Sequence, residues 1–167
     1  MNIIIEIATE KDAEALLEYT KQIGGETDNL TFGAEGIGFT VAQEAEYIRR
    51  IENSCDEVLF VAKDNGKIIG DASLCRMPRR MNHRGDLGIG VVRKYWNCGV
   101  GSRLLSEIIG FAKENSFDII ELQVRSDNAS AIHLYEKFGF EKIGTHMSFF
   151  KMENENIPFD YMCLKIC

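Results

Sequence analysis

The feature that most constrains this chain is a strand that runs through a glycine-containing turn directly into a helix. Residues 86–92 are typical of a buried strand, and residues 99–115 repeat apolar side chains on one helical face. Glycines in such a turn let the backbone approach a ligand, and the first turn of the helix presents amide N–H groups and a partial positive charge. The segment therefore suits a phosphate or pyrophosphate, although a tight turn without a ligand explains the same glycines.

Two common phosphate-binding motifs do not describe this turn. No Gly-Lys-Ser/Thr sequence follows it, so it is not a Walker loop. Leu104 stands where the third glycine of the dinucleotide-binding fingerprint would be.

The rest of the chain alternates strand and helix signals. A glycine-rich loop is expected over residues 23–39, and Asn65-Gly66 predicts a tight hairpin turn. The resulting order, β-α-α-β-β-β-α-β-α-β-β, predicts an α/β (α+β) fold with a mixed sheet and helices on both faces. The predicted strands are 3–8, 58–63, 68–77, 86–92, 119–124, 140–143 and 161–166, and the predicted helices are 10–22, 40–53, 99–115 and 128–138.

Composition restricts the classes of function that remain. The chain has 167 residues, the size of one domain, and its 26 acidic and 19 basic residues give a net charge of −7. This charge argues against nucleic acid as the main partner. The longest apolar run is residues 58–62, too short to span a membrane, and the N-terminus lacks a signal-peptide pattern. Five widely spaced cysteines without a Cys-x-x-Cys pair indicate reduced thiols and a cytoplasmic protein without a metal site.

A second informative block, NASAIHLYEKFGF, occupies residues 128–140. Taken alone, it is also explained as an N-capped helix with an aromatic core residue and a glycine stop. Both blocks together, in this order and about thirty residues apart, resemble the GCN5-related N-acetyltransferase (GNAT) superfamily. The resemblance is densest over residues 87–140, and the order of strands and helices extends it to nearly the whole chain.

The resemblance implies a single acetyltransferase domain over residues 1–167. It also implies a central mixed, mostly antiparallel sheet of six to seven strands flanked by about four helices. The expected co-substrate is acetyl-CoA, with its pantetheine arm along Ile89, Val91 and Val92. The residues expected at the pyrophosphate are Asn97, Cys98, Gly99, Val100, Gly101 and Ser102, and those expected nearer the thioester are Asn128, Ala131 and Tyr135.

Two positions depart from the family pattern. Trp96 stands where the family usually has Gln or Arg, and Cys98 stands where a basic residue is common. Backbone amides make most of the phosphate contacts in such a loop, so the first change is tolerable. The second change weakens the attraction for pyrophosphate, and Arg93 or Lys94 would compensate if either turns toward it.

The resemblance assigns Tyr135 as the acid that protonates the departing thiolate. Asp86, near the start of the central strand, is the candidate base that deprotonates the amine, although a solvated charge at a strand end explains it equally. Glu121 is a second candidate base. His83 is isolated, and His133 is expected at the surface. The acidic residues of the glycine-rich loop would attract a cationic amine if they are more than solvated charges: Glu26, Asp28 and Glu35.

The sequence therefore predicts an enzyme that acetylates a small-molecule or peptide amine by direct attack in a ternary complex. A homodimer is compatible with the family. Two other functions stay open: a non-catalytic acyl-CoA sensor or regulatory domain, and a module that binds the phosphates of another nucleotide. The acceptor is expected between residues 23–39 and residues 145–161, which vary within the superfamily.

Overall fold

A computed structural model describes residues 1–166 of the chain. Seven strands form one mixed sheet in the spatial order β1-β2-β3-β4-β5-β7-β6. The strands are β1 (Ile3–Ile7), β2 (Glu57–Asp64), β3 (Lys67–Arg76), β4 (Arg84–Val91), β5 (Ile119–Arg125), β6 (Glu141–Met152) and β7 (Glu155–Lys165), and the four α-helices are α1 (Ala13–Glu26), α2 (Val41–Ile51), α3 (Val100–Glu114) and α4 (Ala129–Lys137). The predicted fold class is confirmed.

Local signals in the sequence set several of these boundaries. Asn65 and Gly66 both have positive φ, 50° and 82°, which gives the tight turn between β2 and β3. Thr40 and Gln43 bond each other's backbone amides, so a capping box begins α2. Gly139 has a φ of 93° just after α4 and turns the chain into β6.

The helices cover both faces of the sheet and enclose two apolar cores. On one face, α1 and α2 pack over side chains of β2 and β3 such as Leu59, Val61 and Ile68. On the other face, α3 and α4 pack over β2 to β5 around Leu74, Leu104 and Ile120. Within the described residues 1–166, no helix is both long and apolar enough to cross a membrane.

One pair of neighbouring strands, β4 and β5, is parallel, and their pairing is short. It joins Arg84–Asp86 of β4 to Ile119–Glu121 of β5 and then stops. Beyond it the two strands separate, while β4 stays paired with β3 as far as Val91 and β5 stays paired with β7 as far as Arg125. The separation opens the sheet between β4 and β5.

The predicted bounds of three elements, α1, β6 and β7, were wrong. Helix α1 continues to Glu26, so the connecting loop begins at Thr27 rather than at residue 23. Strands β6 and β7 are 12 and 11 residues long and turn at Glu153 and Asn154, where short strands over 140–143 and 161–166 were predicted. Residues 141–148 of β6 are exposed on both faces, so they show no alternation of buried and exposed side chains that could mark a strand.

The described cysteines Cys55, Cys75, Cys98 and Cys163 are free thiols. Cys167, the fifth cysteine for which a reduced thiol was predicted, lies outside the described residues.

We predict that Gly24→Ala destabilises the fold, because an added Cβ would lie 1.9 Å from the carbonyl oxygen of Gly33 in the following loop. The overlap forces α1 and the loop apart, and we expect a loss of about 1–3 kcal/mol in the free energy of unfolding measured in urea. Gly25→Ala is the matched control, since its nearest contact would be an ordinary 3.5 Å to the Cβ of Ala34. Equal stability of the two variants would contradict this packing.

Candidate active site

A single cavity of about 820 Å³ fills the opening between β4 and β5. Its walls come from β4, β5, α4, the turn before α3 and aromatic residues of β6 and β7 on one side. On the other side they come from α1, α2, β2, β3 and the loop between the first two helices. The predicted site residues that line it are Asp86, Ile89, Val91, Asn97, Gly99, Val100, Gly101, Ser102, Asn128, Ala131 and Tyr135. Cys98 and Val92 are not among the lining residues.

The edge of β4 that faces this cavity carries unpaired backbone groups. The Arg84 carbonyl and the Val92 amide both bond β3, through Met77 N–H and the Ile69 carbonyl oxygen. Since N–H and C=O groups alternate sides along a strand, the amides of Leu87, Ile89 and Val91 point toward β5. The pairing of Asp86 with Glu121 uses the Leu87 amide, so the amides of Ile89 and Val91 are the ones that lie beyond the contact with β5. Val92 is buried and its amide serves the sheet, so it presents no donor to a ligand there.

The turn before α3 forms a cradle of amide donors at one end of the cavity. Gly99 is the N-cap with a φ of 80°, and Asn97 also has positive φ. Positive φ at these two positions turns successive amides toward one side, as in other anion-binding turns. Among the described residues, none accepts a hydrogen bond from the amides of Asn97, Gly99, Val100, Gly101 or Ser102. The cradle is therefore able to hold a diphosphate.

Trp96 fixes this turn against β4. Its indole Nε1 donates to the carbonyl oxygen of Val91 at 2.7 Å, and its ring is 42% exposed. The guanidinium of Arg93 lies 5.4 Å from the centre of that ring, and the ammonium of Lys94 lies 5.7 Å from the ring of Tyr95. Arg93 and Lys94, which were expected to compensate for the missing basic residue at position 98, thus each lie over an aromatic ring of the turn. Cys98 itself is exposed to solvent.

Tyr135 lies under the opposite wall, on α4. The residue is 6% exposed and packs against Phe140, with 5.7 Å between ring centres. Burial raises the pKa of its phenol well above the usual value, so the hydroxyl keeps its proton at neutral pH. Asn128, at the start of α4, accepts from the amide of Ala131 through its side-chain oxygen, which leaves its NH₂ group as a donor toward the cavity.

Asp86 lies where the two strands begin to separate. Its side chain is exposed toward the cavity, and Gln123 of β5 donates to Oδ1 at 3.3 Å. Partial desolvation by the cavity walls raises the pKa of this carboxyl, with a smaller contribution from the charge of Glu121. Glu121 itself accepts hydrogen bonds from the guanidinium of Arg84, at 2.8 Å to Nε, and does not line the cavity.

A buried acidic group in this cavity was not found by sequence reasoning. Tyr19 of α1 donates to Oδ1 of Asp71 at 2.8 Å, and burial raises the pKa of Asp71 to about 6. Glu44 of α2 is 4% exposed, lines the same cavity, and has an Oε2 atom without a hydrogen-bond partner in the described chain. The three residues are far apart in sequence, and no motif joins them. The sequence signal was an acidic residue inside an otherwise apolar strand, at Asp71.

Of the remaining candidates, His133 lines the cavity, whereas Glu26, Asp28 and Glu35 do not. Glu26 accepts from the amide of Arg93 at 2.7 Å and so ties α1 to the turn before α3. Glu35 accepts from the amide of Gly33 within its own loop, and Asp28 borders a polar pocket that adjoins the cavity and shares Arg125 and Asn128 with it. His133 is exposed, as predicted. Within residues 1–166, no cluster of His, Cys, Asp or Glu is arranged to hold a metal ion.

Comparisons with known proteins match this fold. Residues 30–140 match the family model described as Acetyltransferase (GNAT) family. A crystal structure of a GNAT-family acetyltransferase from Streptococcus pneumoniae superposes with a TM-score of 0.95 at 30% identity, covering 99% of this chain and 100% of that one.

Two curated relatives match over shorter segments. The N-alpha-acetyltransferase RimI of Mycobacterium tuberculosis is 32% identical over 92 residues, which are 54% of this chain and 56% of the relative. The L-amino acid N-acetyltransferase AaaT of Escherichia coli is 36% identical over 105 residues, which are 62% of this chain and 65% of the relative. The matched segment thus spans less than two thirds of either relative.

We predict that Asp71→Asn stabilises the protein above pH 6. The native pKa of about 6 exceeds the ordinary value of 3.8, so the native state holds a proton that the unfolded chain has released. Stability therefore falls as pH rises between these values and stays lower above them. Asn keeps an acceptor for Tyr19 and removes the charge, and we expect a gain of about 1–3 kcal/mol at pH 8 that disappears near pH 4.

Asp160→Asn is the matched control with the opposite sign. Burial acts to raise the pKa of Asp160, but hydrogen bonds from Ser126, Thr145 and Lys142 outweigh it and lower the pKa. This variant should lose stability at pH 8. Urea unfolding at pH 4, 6 and 8 measures the free energy of unfolding of both variants. A loss of stability in Asp71→Asn at pH 8 would contradict the prediction, because it would mean that the charged Asp71 stabilises the native state.

Proposed function

This chain belongs to the Acetyltransferase (GNAT) family, and we propose on that premise that it transfers an acetyl group from acetyl-CoA to a primary amine. The observation that supports the proposal is the meeting of two features in one cavity. The unpaired edge of β4 leads directly to the amide cradle at the start of α3. A molecule with an amide-containing arm and a diphosphate fits this site, with the arm along β4 and the diphosphate in the cradle.

The residues that would hold acetyl-CoA follow from this arrangement. The amides of Ile89 and Val91 would bond the pantetheine arm as a further strand would, and the cradle amides would bind the pyrophosphate. The amide of Ile89 would polarise the thioester carbonyl. Asn128 would donate from its NH₂ group to the arm across the opening. Acetyl-CoA, when bound, supplies an acyl carbon activated by a thiol leaving group.

The amine must lose a proton before it can attack, because an ammonium has no lone pair. We assign this proton to the Asp86 carboxylate, directly or through water. The amine nitrogen then forms a bond to the carbonyl carbon, and the carbon–sulfur bond breaks.

The Tyr135 hydroxyl gives its proton to the departing sulfur. The second proton on the new amide nitrogen returns to the phenolate, and Asp86 releases its proton to solvent. The balanced products are an N-acetylated amine, CoA with a free thiol, and one proton.

Free thiol release from acetyl-CoA, measured with a panel of primary amines, tests the proposed activity. Thermal stabilisation by CoA but not by ATP or NAD identifies the nucleotide. Stabilisation by CoA without turnover of any amine, from small amines to peptides, would instead support the acyl-CoA sensor.

We predict that Tyr135→Phe lowers kcat about 100-fold, since the departing thiolate loses its proton donor. The KM for acetyl-CoA should stay unchanged because the ring still fills its site beside Phe140. Tyr161→Phe is the control, as Tyr161 does not line the cavity. Unchanged kcat in a variant whose chemical step limits the rate would remove Tyr135 from the acid role.

We predict that Asp86→Asn lowers kcat/KM for the amine about 100-fold at pH 7. Activity should recover as pH rises toward about 10, because an alkylamine then loses its proton without help. Glu121→Gln should keep nearly wild-type kcat/KM at pH 7, since Glu121 is engaged by Arg84 and does not line the cavity. Loss of its charge only lowers the pKa of Asp86 toward the usual value. A pH profile of Asp86→Asn parallel to that of the wild type would assign the base elsewhere.

A further inference from the structure

The half of the cavity formed by α1, α2, β2, β3 and the loop between the two helices is acidic and apolar; we call it the acceptor chamber. It lies on the face of β4 that carries Gly88 and Gly90, where a Cβ would come within 3.1 Å of Ser73 Oγ and 2.9 Å of the Tyr19 hydroxyl, respectively. The two glycines therefore leave its floor open. In the described chain, the basic residues that line the cavity come from β5 and α4 on the other side: Arg125, His133 and Lys137.

Glu44 is the unexplained group in this chamber. The side chain projects from the first turn and a half of α2, and only 4% of the residue is exposed. Its Oε2 atom is buried and receives no hydrogen bond from any described residue. A buried carboxylate without a partner is costly, and it is stabilised either by taking up a proton or by a cation.

Asp71 is a second carboxyl on the same wall. Tyr19 occupies Oδ1, while the structure gives Oδ2 no partner. The charge of Glu44 is one of the causes that raise the pKa of Asp71, after burial. Two acids that repel each other across one cavity are both stabilised by a single ammonium placed between them.

The position of this acidic pair separates it from the proposed point of reaction. Asp71 lies opposite Gly90 in the β3–β4 ladder, whereas Asp86 lies four residues further back along β4, beside Cys75. Four residues of strand correspond to about 14 Å. A cation held by Asp71 and Glu44 is therefore not the amine deprotonated at Asp86, but it is within reach of the same extended molecule.

We infer that the acceptor is an aliphatic diamine or polyamine whose first amine reacts beside Asp86 while a second ammonium is bound by Glu44 and Asp71. The inference rests on the proposed acetyl transfer and names its substrate class. Apolar side chains of the chamber, among them Ile23, Phe32 and Phe39, contact the methylene groups between the two nitrogens. A carboxylate in place of the second ammonium meets two acids and no Lys or Arg among the residues described in this half of the cavity.

A matched set of acceptors tests the inference. Cadaverine, pentylamine and aminopentanoate share one five-carbon chain and one reacting amine, and they end in an ammonium, a methyl group and a carboxylate. The corresponding eight-carbon diamine, monoamine and amino acid repeat the comparison with a longer distance between the two ends. For at least one of the two lengths we expect kcat/KM to be at least about 10-fold higher for the diamine than for the monoamine, with the amino acid slowest.

The variants Asp71→Asn and Glu44→Gln locate the effect. Each should narrow the diamine-to-monoamine ratio of kcat/KM at least about fivefold, because each removes one charge that binds the second ammonium. Glu46→Gln is the matched control on α2, since Glu46 is exposed and pairs with Arg49 outside the cavity. It should leave the ratio unchanged. Urea unfolding of both variants at the assay pH shows whether a change in the ratio accompanies a loss of folding.

The outcomes separate this inference from the proposed function. Turnover of monoamine, diamine and amino acid at equal kcat/KM, or a ratio that neither variant changes, overturns the inference and leaves acetyl transfer intact. A peptide N-terminus or lysine peptide acetylated with higher kcat/KM than every diamine also overturns it. Failure of all amines despite binding of CoA overturns the proposed function itself.

Discussion

The short parallel contact between β4 and β5 is the constraint on which the rest of this structure depends. Three residue pairs join the two halves of the sheet, and beyond them each strand keeps only its outer neighbour. The backbone donors and acceptors on the inner edges are left without a strand partner, and such edges ordinarily pair with another strand. Here the opening is walled by α4, by the turn before α3 and by the loop after α1, so it forms a cavity that an extended ligand can enter.

Glycines determine what each side of the opening can hold. On β4, Gly88 and Gly90 alternate with Leu87, Ile89 and Val91, so one face of the strand is apolar and packed while the other carries no side chain beyond Asp86. Gly101 lets α4 approach α3, where a Cβ would come within 3.1 Å of Leu134. The same residue type thus widens the chamber on one face and tightens the helix packing on the other.

The sequence predicted most of the fold because its signals are local. The Asn65-Gly66 turn, the capping box at Thr40 and the apolar stripe of α3 each act within a few residues. The full length of the β6–β7 hairpin was missed because its exposed residues follow no burial pattern. The extension of α1 was missed because glycine lowers helix propensity, and only the packing of Gly24 against Gly33 keeps this segment helical. The cofactor side of the site follows from two motifs, whereas Tyr19, Glu44 and Asp71 come together only through tertiary packing.

Trp96 has a consequence for how the molecule can be observed. It is the only tryptophan of the chain, it is partly exposed, and its ring lies on the turn that cradles the anion, held by one hydrogen bond to β4. Indole emission responds to the polarity and order of its surroundings, and no second tryptophan contributes a background. Binding of an anionic ligand at this turn can therefore be followed by the fluorescence of Trp96, without an added label.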